Sequence, residues 1–222
     1  MIIPPIFNGA IKAFFTRKDT GADPETVGRA LSVSKEKIFM PVQKHTDRVL
    51  IVRSNSSIEI ADAVLTAEEN MLIGVQVADC VPILLYDKMN SVIGAVHAGW
   101  KGTAARILPK TIHAMKEYFS SSPENILAAF GPSIRWECYP VGDEVKDAVS
   151  KASGEGEYFL YNDNKYCVDL SSANIYQALS MGVSREHIWI SPECTRCNPD
   201  AFFSYRYSKA YEGSQGGFIG IL

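Results

Sequence analysis

The chain has 222 residues, 46% of them hydrophobic, and a formal net charge of −3 at pH 7. This length can bury a sizeable core, and we expect one domain over residues 1–222. The sequence has neither a basic tract nor an acidic tail, so we expect no nucleic-acid partner and no binding to a membrane surface.

The N-terminal sequence and the cysteines bear on location. MIIPPIFNGAIKAFF contains prolines and no basic region, which is unlike a signal peptide. The longest apolar run contains Asp79 and Pro82 and is too short to span a bilayer. An odd number of cysteines, five, is typical of reduced thiols rather than of a disulfide framework. We therefore expect a cytoplasmic protein.

The first third of the chain predicts short strands and one helix. Residues 1–17 favour a strand or hairpin, and residues 18–28 are polar, with Gly and Pro, as in a loop. A short helix is predicted from Pro24 to Leu31, and short strands are predicted at residues 37–42 and 48–53.

Residues 71–106 form the central stretch of the sequence. Their pattern predicts two apolar strands, the first meeting Asp79 and Cys80 and the second, VIGAV, ending at His97. The turn-like residues 87–90 join the two runs, which indicates neighbouring strands. Neighbouring strands would bring a thiol and an imidazole into one pocket.

Helices become prominent after the central stretch. Residues 103–119 carry one apolar stripe at helical spacing, with Thr103 as a plausible N-cap and Pro109 predicting a kink or a late start. Further helices are predicted at residues 141–152 and 171–181, the second closed by Gly182. Strands are predicted at residues 126–130, 166–170, 187–191, 202–207 and 217–222.

Cys194 and Cys197 form a CxxC pair in a turn-rich loop. Such a pair is half of a zinc-finger site or a redox pair, but no second CxxC and no thioredoxin-like βαβ pattern accompanies it. We interpret the pair as part of a structural loop, and Cys138 and Cys167 as core residues.

Several motifs together resemble one family. The matching segments are QKH (43–45), ADAVLT (61–66), ADCVPILLYD (78–87), AVHAGWKGT (95–103), FGPSIRWECYPVGDEV (130–145), CTRC (194–197) and FFSYRY (202–207). They resemble the laccase-domain family of YfiH-like proteins, which are also described as multicopper polyphenol oxidases and as purine nucleoside phosphorylases. The resemblance implies an α+β fold, a four-layer α/β/β/α sandwich of mixed β-sheets.

The resemblance also implies a metal site formed by His45, Cys80 and His97. Two imidazoles and a thiolate are typical of a catalytic zinc site, in which a fourth position stays open to water or substrate. Zinc would hold Cys80 as the thiolate and lower the pKa of a bound water. The same donors also accept copper, so their types do not select the metal.

A phosphorylase must also hold phosphate. Phe15-Thr16-Arg17 is similar to the first part of a family motif, which makes Arg17 the main phosphate candidate, although the Gly pair that follows in the family is absent here. Arg206 is the second candidate. Lys101 stands where the family commonly has Arg, so a point charge replaces a bidentate fork there.

The resemblance implies a zinc enzyme acting on purine nucleosides. One reaction is phosphorolysis of adenosine, inosine, guanosine or methylthioadenosine, and the other is deamination of adenosine at C6. The proton carrier is not identified by any motif, and Asp62 and Asp79 are guesses. Aromatic side chains that could stack on the base are Trp100, Phe203 and Tyr205.

Three other functions stay open. A copper-dependent phenol oxidase of the blue multicopper type needs more histidines than the four present. A thiol hydrolase or deamidase would use Cys80 as nucleophile and His97 as base, and a role in editing peptidoglycan precursors is compatible with it. A zinc-stabilised binding module would close the site with Cys194 or Cys197. The preferred nucleoside and the oligomeric state are open.

Overall fold

A computed structural model describes residues 1–7, 9 and 11–222. Residues 8 and 10, which the predicted N-terminal strand or hairpin also covers, lie outside the described residues. The helices span Pro24–Leu31 (α1), Trp100–Ala104 (α2), Ile107–Phe119 (α3), Asp143–Ser153 (α4), Leu170–Ser180 (α5) and Tyr205–Ser208 (α6). Within the described part of the chain, no helix is long and apolar enough to cross a membrane.

The strands span Ile11–Phe15 (β1), Ile38–Phe39 (β2), Val49–Ile51 (β3), Ala63–Thr66 (β4), Leu72–Val77 (β5), Val81–Asp87 (β6), Val92–Ala98 (β7), Ile126–Phe130 (β8), Pro140–Val141 (β9), Phe159–Asn162 (β10), Lys165–Val168 (β11), Ile188–Ile190 (β12) and Gln215–Ile221 (β13). The larger sheet has the order β12-β8-β6-β7-β4-β3, the second sheet β1-β13-β5-β2 and a small sheet β10-β11-β9. The first two are mixed, because β12–β8, β3–β4 and β2–β5 are parallel and the other pairs are antiparallel.

Three apolar clusters define the layers. Leu84 and Ile93 of the larger sheet share a cluster with Ile73 of the second sheet, so the two sheets pack face to face. The outer face of the larger sheet packs against α3 and α5, in a cluster that includes Leu85, Val96, Ile112, Met115 and Ala178. The outer face of the second sheet packs against α1, in a cluster that includes Val27, Leu72 and Phe218. The fold is therefore an α+β sandwich with α/β/β/α layers in a single domain, which confirms the predicted class.

The central stretch contains three strands, not the two predicted. β5 belongs to the second sheet, whereas β6 and β7 are antiparallel neighbours in the larger sheet. The chain crosses between the sheets at residues 78–80, where Asp79 has φ +87°. β6 is buried on both faces and so is apolar at nearly every position, which hides the boundary in the sequence. Cys80 thus lies in the crossover and not in a strand.

The structure also tests three predictions about helices. The predicted helix over residues 103–119 starts late, since α3 begins at Ile107 after Arg106, which has φ +61°. Thr103 is not an N-cap: it lies inside the short helix α2, whose N-cap is Gly99. The helix predicted at Pro24–Leu31 is confirmed, and Asp23 caps it by accepting a hydrogen bond from the backbone N–H of Thr26.

The predicted strand over residues 202–207 is wrong. This segment contains the short helix α6, and the side chain of Ser204 caps it by accepting a hydrogen bond from the N–H of Tyr207. Its aromatic spacing resembles a strand, but Tyr205 and Tyr207 are both exposed and no strand partners them in the described residues. The helix places Arg206 on the wall of a cavity.

Candidate active site

The carboxylate of Asp62 holds the segment around His45 in place. This carboxylate is fully buried and accepts hydrogen bonds from the backbone N–H groups of Lys44 (3.3 Å), His45 (3.0 Å) and Thr46 (2.6 Å) and from the Thr46 hydroxyl (2.7 Å). These bonds hold the turn in which His45 has φ +57°. Asp62 thereby fixes one of the predicted metal ligands through the backbone.

The same carboxylate orients His97. Asp62 Oδ1 lies 2.7 Å from His97 Nδ1, and both side chains are buried. We assign the Nδ1–H as the donor, which leaves Nε2 free as a ligand. Burial works against the charged carboxylate, but the hydrogen bonds from His97 and Thr46 outweigh it and hold the pKa of Asp62 well below its usual range.

The three predicted ligands meet at one point. The ligand atoms of His45, Cys80 and His97 all lie within 4.8 Å of one another, and the Cys80 sulfur is 4.0 Å from His45 Nε2. Ligands bonded to one zinc at about 2.0–2.3 Å are separated from each other by about 3.5 Å, so the donors fit an ion with little movement. The two imidazole rings meet edge to face, with centroids 4.8 Å apart.

Gly99 makes this approach possible. A Cβ atom at this position would lie 2.9 Å from the Cys80 sulfur and 3.2 Å from His45 Cδ2. Any side chain there would push the donors apart. The glycine of the HAGW motif therefore belongs to the site although it offers no ligand atom.

The thiol and the imidazole perturb each other. Burial raises the pKa of the Cys80 thiol, but the charge of His97 and a hydrogen bond with His45 outweigh it and lower the pKa to about 6. Burial lowers the pKa of His97, but the Cys80 charge and the hydrogen bond to Asp62 outweigh it and raise the pKa to about 9. Together they favour a thiolate beside an imidazolium near neutral pH in the metal-free protein; a metal ion would replace the proton on His97 Nε2.

These donors lie in the wall of a cavity of about 930 Å³. This volume suits a small molecule of nucleoside size. Aromatic and cationic side chains supply much of the remaining wall: Trp100, Tyr139, Tyr205, Tyr211, Lys44, Lys101, Arg206 and Lys209. The combination suits a flat aromatic group joined to an anion.

Arg206 has three contacts that position it on this wall. Its guanidinium lies 5.0 Å from the centroid of the Tyr139 ring, and Nη2 donates to the Pro140 carbonyl at 3.0 Å. Its backbone N–H donates to Asp79 Oδ2 at 2.7 Å. Lys101 also lines the cavity, with Nζ 5.7 Å from the centroid of the Trp100 ring. Both predicted cations thus lie on the cavity wall.

Other predicted residues lie elsewhere. Among the described residues that line the cavity, Arg17 and Phe203 are not included. The Arg17 guanidinium lies 4.0 Å from Glu193 and over the ring of Phe202. The structure therefore does not bring the main phosphate candidate to the other predicted site residues.

Asp62 and Asp79, the two candidate proton carriers, are both engaged in hydrogen bonds with the protein. Asp79 accepts the Thr195 hydroxyl at 2.6 Å on one oxygen and the Arg206 N–H on the other, and Asp62 is occupied as described above. Positioning is the role that these contacts support. The sequence reasoning missed this function of Asp62, although a buried histidine that binds a metal generally needs an acceptor behind it.

The chain is similar to several known proteins. A family model described as multi-copper polyphenol oxidoreductase laccase matches residues 16–222. A purine nucleoside phosphorylase of Clostridium acetobutylicum is 39% identical over 181 residues, which are 80% of this chain and 74% of the relative. An adenosine deaminase of an unknown prokaryotic organism is 34% identical over 199 residues, 82% of this chain and 74% of the relative. The crystal structure of YlmD from Geobacillus stearothermophilus superposes with a TM-score of 0.90 at 26% identity, covering 97% of this chain and 93% of that one.

Proposed function

Because the chain belongs to the multi-copper polyphenol oxidoreductase laccase family, we propose that it is a metal-dependent enzyme acting on purine nucleosides. The proposed reactions are phosphorolysis, including that of methylthioadenosine, and deamination of adenosine. The observation that carries the proposal is the convergence of His45, Cys80 and His97 on the wall of a cavity rich in aromatic and cationic groups. Relatives named purine nucleoside phosphorylase and adenosine deaminase support it.

His45, Cys80 and His97 would hold the metal ion. The spacing of their donor atoms, the free Nε2 of His97 and the glycine at position 99 all fit an ion bound there. Zinc at such a site lowers the pKa of a bound water and polarises an oxygen or nitrogen of the substrate. We propose zinc, and copper fits the same donors.

The residues around the donors would bind the nucleoside and the phosphate. Trp100 and Tyr205 offer faces for the purine. Lys101 and Arg206 would hold the phosphate, and Arg206 is preorganised because Tyr139 and Pro140 fix its guanidinium. In phosphorolysis a phosphate oxygen bonds to C1′ of the ribose while the bond from C1′ to the purine breaks, and the purine takes up a proton.

A second candidate function rests on the closeness of Cys80 and His97. A thiol whose sulfur lies within 4.8 Å of an imidazole nitrogen, itself oriented by Asp62, has the arrangement of a Cys-His hydrolase or deamidase. Amides, including peptidoglycan precursors, are then the substrates to try. A copper-dependent polyphenol oxidase is less well supported, because the other two histidines, His113 and His187, are not among the described residues that line the cavity.

Chromatography of adenosine incubated with zinc-loaded protein, with and without phosphate, tests the proposal. Adenine and ribose 1-phosphate that form only with phosphate, or inosine that forms without it, are the expected products. Cys80→Ala should abolish both, whereas Cys167→Ala, which removes a buried thiol in β11, should retain them. Unchanged adenosine, inosine and methylthioadenosine with metal-loaded wild-type protein would refute the nucleoside proposal and favour the hydrolase.

The cytoplasmic location and the extent of the domain over residues 1–222 remain predictions. So does the absence of nucleic-acid and membrane partners.

A further inference from the structure

Three cysteines outside the cavity come together in space. Cys138 lies in a 3₁₀ turn before β9, and Cys194 and Cys197 lie in the loop after β12. Their sulfur atoms lie within 4.8 Å of one another, and Cys138 and Cys197 are 3.1 Å apart. The sequence reasoning placed Cys138 in the core, which is correct for its burial, but missed that the CxxC pair faces it.

The fold fixes this cluster well. The backbone N–H of Thr195 donates to the Ser133 carbonyl at 3.1 Å, which ties the CxxC loop to the segment before Cys138. Asn198 Nδ2 donates to the Cys194 carbonyl at 3.0 Å within the loop. The three sulfurs are therefore held together by the backbone and not by side-chain rotation alone.

The surroundings of Cys194 also suit a sulfur ligand. The backbone N–H of Arg135 points at the Cys194 sulfur, 3.5 Å away. Hydrogen bonds to ligand atoms from outside the coordination sphere orient ligands and tune a metal site.

We propose that Cys138, Cys194 and Cys197 form a second metal site, which takes a thiophilic ion, Zn²⁺ or Cu⁺, through three sulfur ligands. Sulfurs around zinc at about 2.3 Å lie about 3.8 Å apart. In this cluster one separation is 3.1 Å and none exceeds 4.8 Å, so small side-chain movements would admit the ion. Three metal–sulfur bonds form, the remaining thiol protons pass to solvent, and no electron is transferred. Because Cys197 is exposed, water can complete the coordination.

A metal site accounts for all three thiols, whereas a disulfide does not. A disulfide bond between Cys138 and Cys197 would leave the Cys194 thiol without a partner in the cluster and would require an oxidant. Cys194 is buried and accepts a backbone N–H, as sulfur ligands of metals do. Soft thiolate ligands select zinc and Cu⁺ over harder ions.

The site would support one wall of the cavity. Thr195, between two of the ligands in sequence, donates its hydroxyl to Asp79, and Asp79 is adjacent to Cys80 and bonded to the N–H of Arg206. Tyr139, next to Cys138, lies under the Arg206 guanidinium. A metal there would hold together the segments that position Arg206, without contacting substrate.

Metal content tests the proposal. Reduced protein is dialysed against zinc, or loaded with Cu⁺ under anaerobic conditions, and the bound metal is counted by mass spectrometry. The Cys80→Ser variant, whose cavity site is disabled, should still bind about one ion per chain. Adding Cys197→Ser should remove it, whereas adding Cys167→Ser should not. Cys197 is the exposed ligand, so its substitution least endangers folding.

The Cys80→Ser background keeps this test independent of the proposed function, because counting bound metal requires no activity on nucleosides. Uptake of neither metal by folded, reduced Cys80→Ser protein would overturn the second site. So would uptake that survives Cys197→Ser. Thiol titration of the protein in air tests for a disulfide instead. A disulfide would remove two thiols whether or not metal is present, and the Cys197→Ser variant would not show that loss.

Discussion

At the scale of the residue, the site depends on groups that hold the ligands as much as on the ligands. Gly99 and Asp62 are not among the proposed ligands. Gly99 leaves room for the donor atoms to approach one another, and Asp62 orients both histidines. Ligand atoms displaced by about 1 Å lose much of their affinity for a metal. The positioning residues are therefore the sharper test of the proposed centre.

Gly99→Ala should weaken zinc binding about tenfold or more, because its Cβ would lie 2.9 Å from the Cys80 sulfur. Gly142→Ala is a matched control. Both glycines are helix N-caps of similar backbone conformation, with φ −77° and ψ 178° at Gly99 and φ −81° and ψ 169° at Gly142, but a Cβ at Gly142 has no atom within 4 Å. Chelator competition in the Cys197→Ser background measures the affinity. Equal binding by both variants would contradict the arrangement of donors described here.

Asp62→Asn should weaken zinc binding by about 10- to 100-fold, since an amide is a poorer acceptor for His97 Nδ1–H and turns an NH₂ group toward backbone donors. Thr46→Val removes the hydroxyl bond to Asp62 and the acceptor for the Arg48 N–H, but leaves the contact between Asp62 and His97 in place, and should have a much smaller effect. The same chelator titration, with thermal melts of the metal-depleted variants, separates metal affinity from folding. If the two variants lose affinity equally, the orientation of His97 is not the reason.

Lys101→Met should affect one proposed reaction and not the other. Loss of a charged donor to phosphate costs about 1.5–3 kcal/mol, so phosphorolysis should need about 10- to 100-fold more phosphate. Deamination, which uses no phosphate, should keep its rate. Steady-state kinetics of the two reactions provide the comparison, and Lys88→Met, an exposed residue in the β6–β7 turn, is the control. Parallel loss of both reactions would mean that Lys101 does not act through phosphate.

At the scale of the element, the sequence predicts well where local patterns dominate. The helix Pro24–Leu31 and the strand Ile126–Phe130 have the predicted bounds, because a capping Asp before Pro and an apolar run before Gly-Pro mark their ends. The crossover at residues 78–80 was not predicted, because both strands it joins are apolar. Likewise, no local signal places Cys138 near Cys197, since tertiary packing brings them together over 59 residues. The three candidate metal ligands are predicted from the family motifs, and only His97 and Cys80 are also predicted from strand pairing.

The turn between β6 and β7 should make the stability of the fold depend on pH. The buried carboxylate of Asp87 accepts hydrogen bonds from the backbone N–H of Met89 at 2.9 Å and from Asn90 Nδ2 at 2.8 Å. Burial raises its pKa, but the nearby Ser121 hydroxyl and the hydrogen bonds of this turn outweigh it, so the pKa is lowered. A lowered folded-state pKa means stability that is complete above the unfolded pKa of about 4 and is lost as the pH falls through the folded pKa.

Asp87→Asn should therefore lower the free energy of unfolding at pH 7 by about 1–3 kcal/mol and flatten its decline below pH 4. Urea melts from pH 7 to pH 3 measure both effects. Asp163→Asn changes an exposed residue of the β10–β11 turn and should leave the curve close to that of the wild type. An unchanged acid decline in Asp87→Asn would show that other carboxylates account for it.

At the scale of the whole molecule, the proposed centre joins layers of the sandwich. His97 lies on β7 of the larger sheet, Cys80 lies in the crossover between the sheets, and His45 follows β2 of the second sheet. Unfolding separates these donors along more than 50 residues of chain, between positions 45 and 97. Metal that binds only the folded arrangement must therefore stabilise the entire fold and not one loop.

Zinc at about a thousand times its dissociation constant should add about 4 kcal/mol to the free energy of unfolding, which for a chain of this size raises Tm by about 8–16 °C. The Cys197→Ser background restricts the effect to the cavity. There, Cys80→Ala should lose nearly all of the zinc-dependent shift, because two histidines alone hold zinc weakly. Cys167→Ala should melt lower without zinc, since a buried side chain is truncated, yet keep the shift. Calorimetry with and without zinc distinguishes these cases, because baseline stability and metal response vary independently. A zinc shift that Cys80→Ala retains in full would place the stabilising ion elsewhere than between the two sheets.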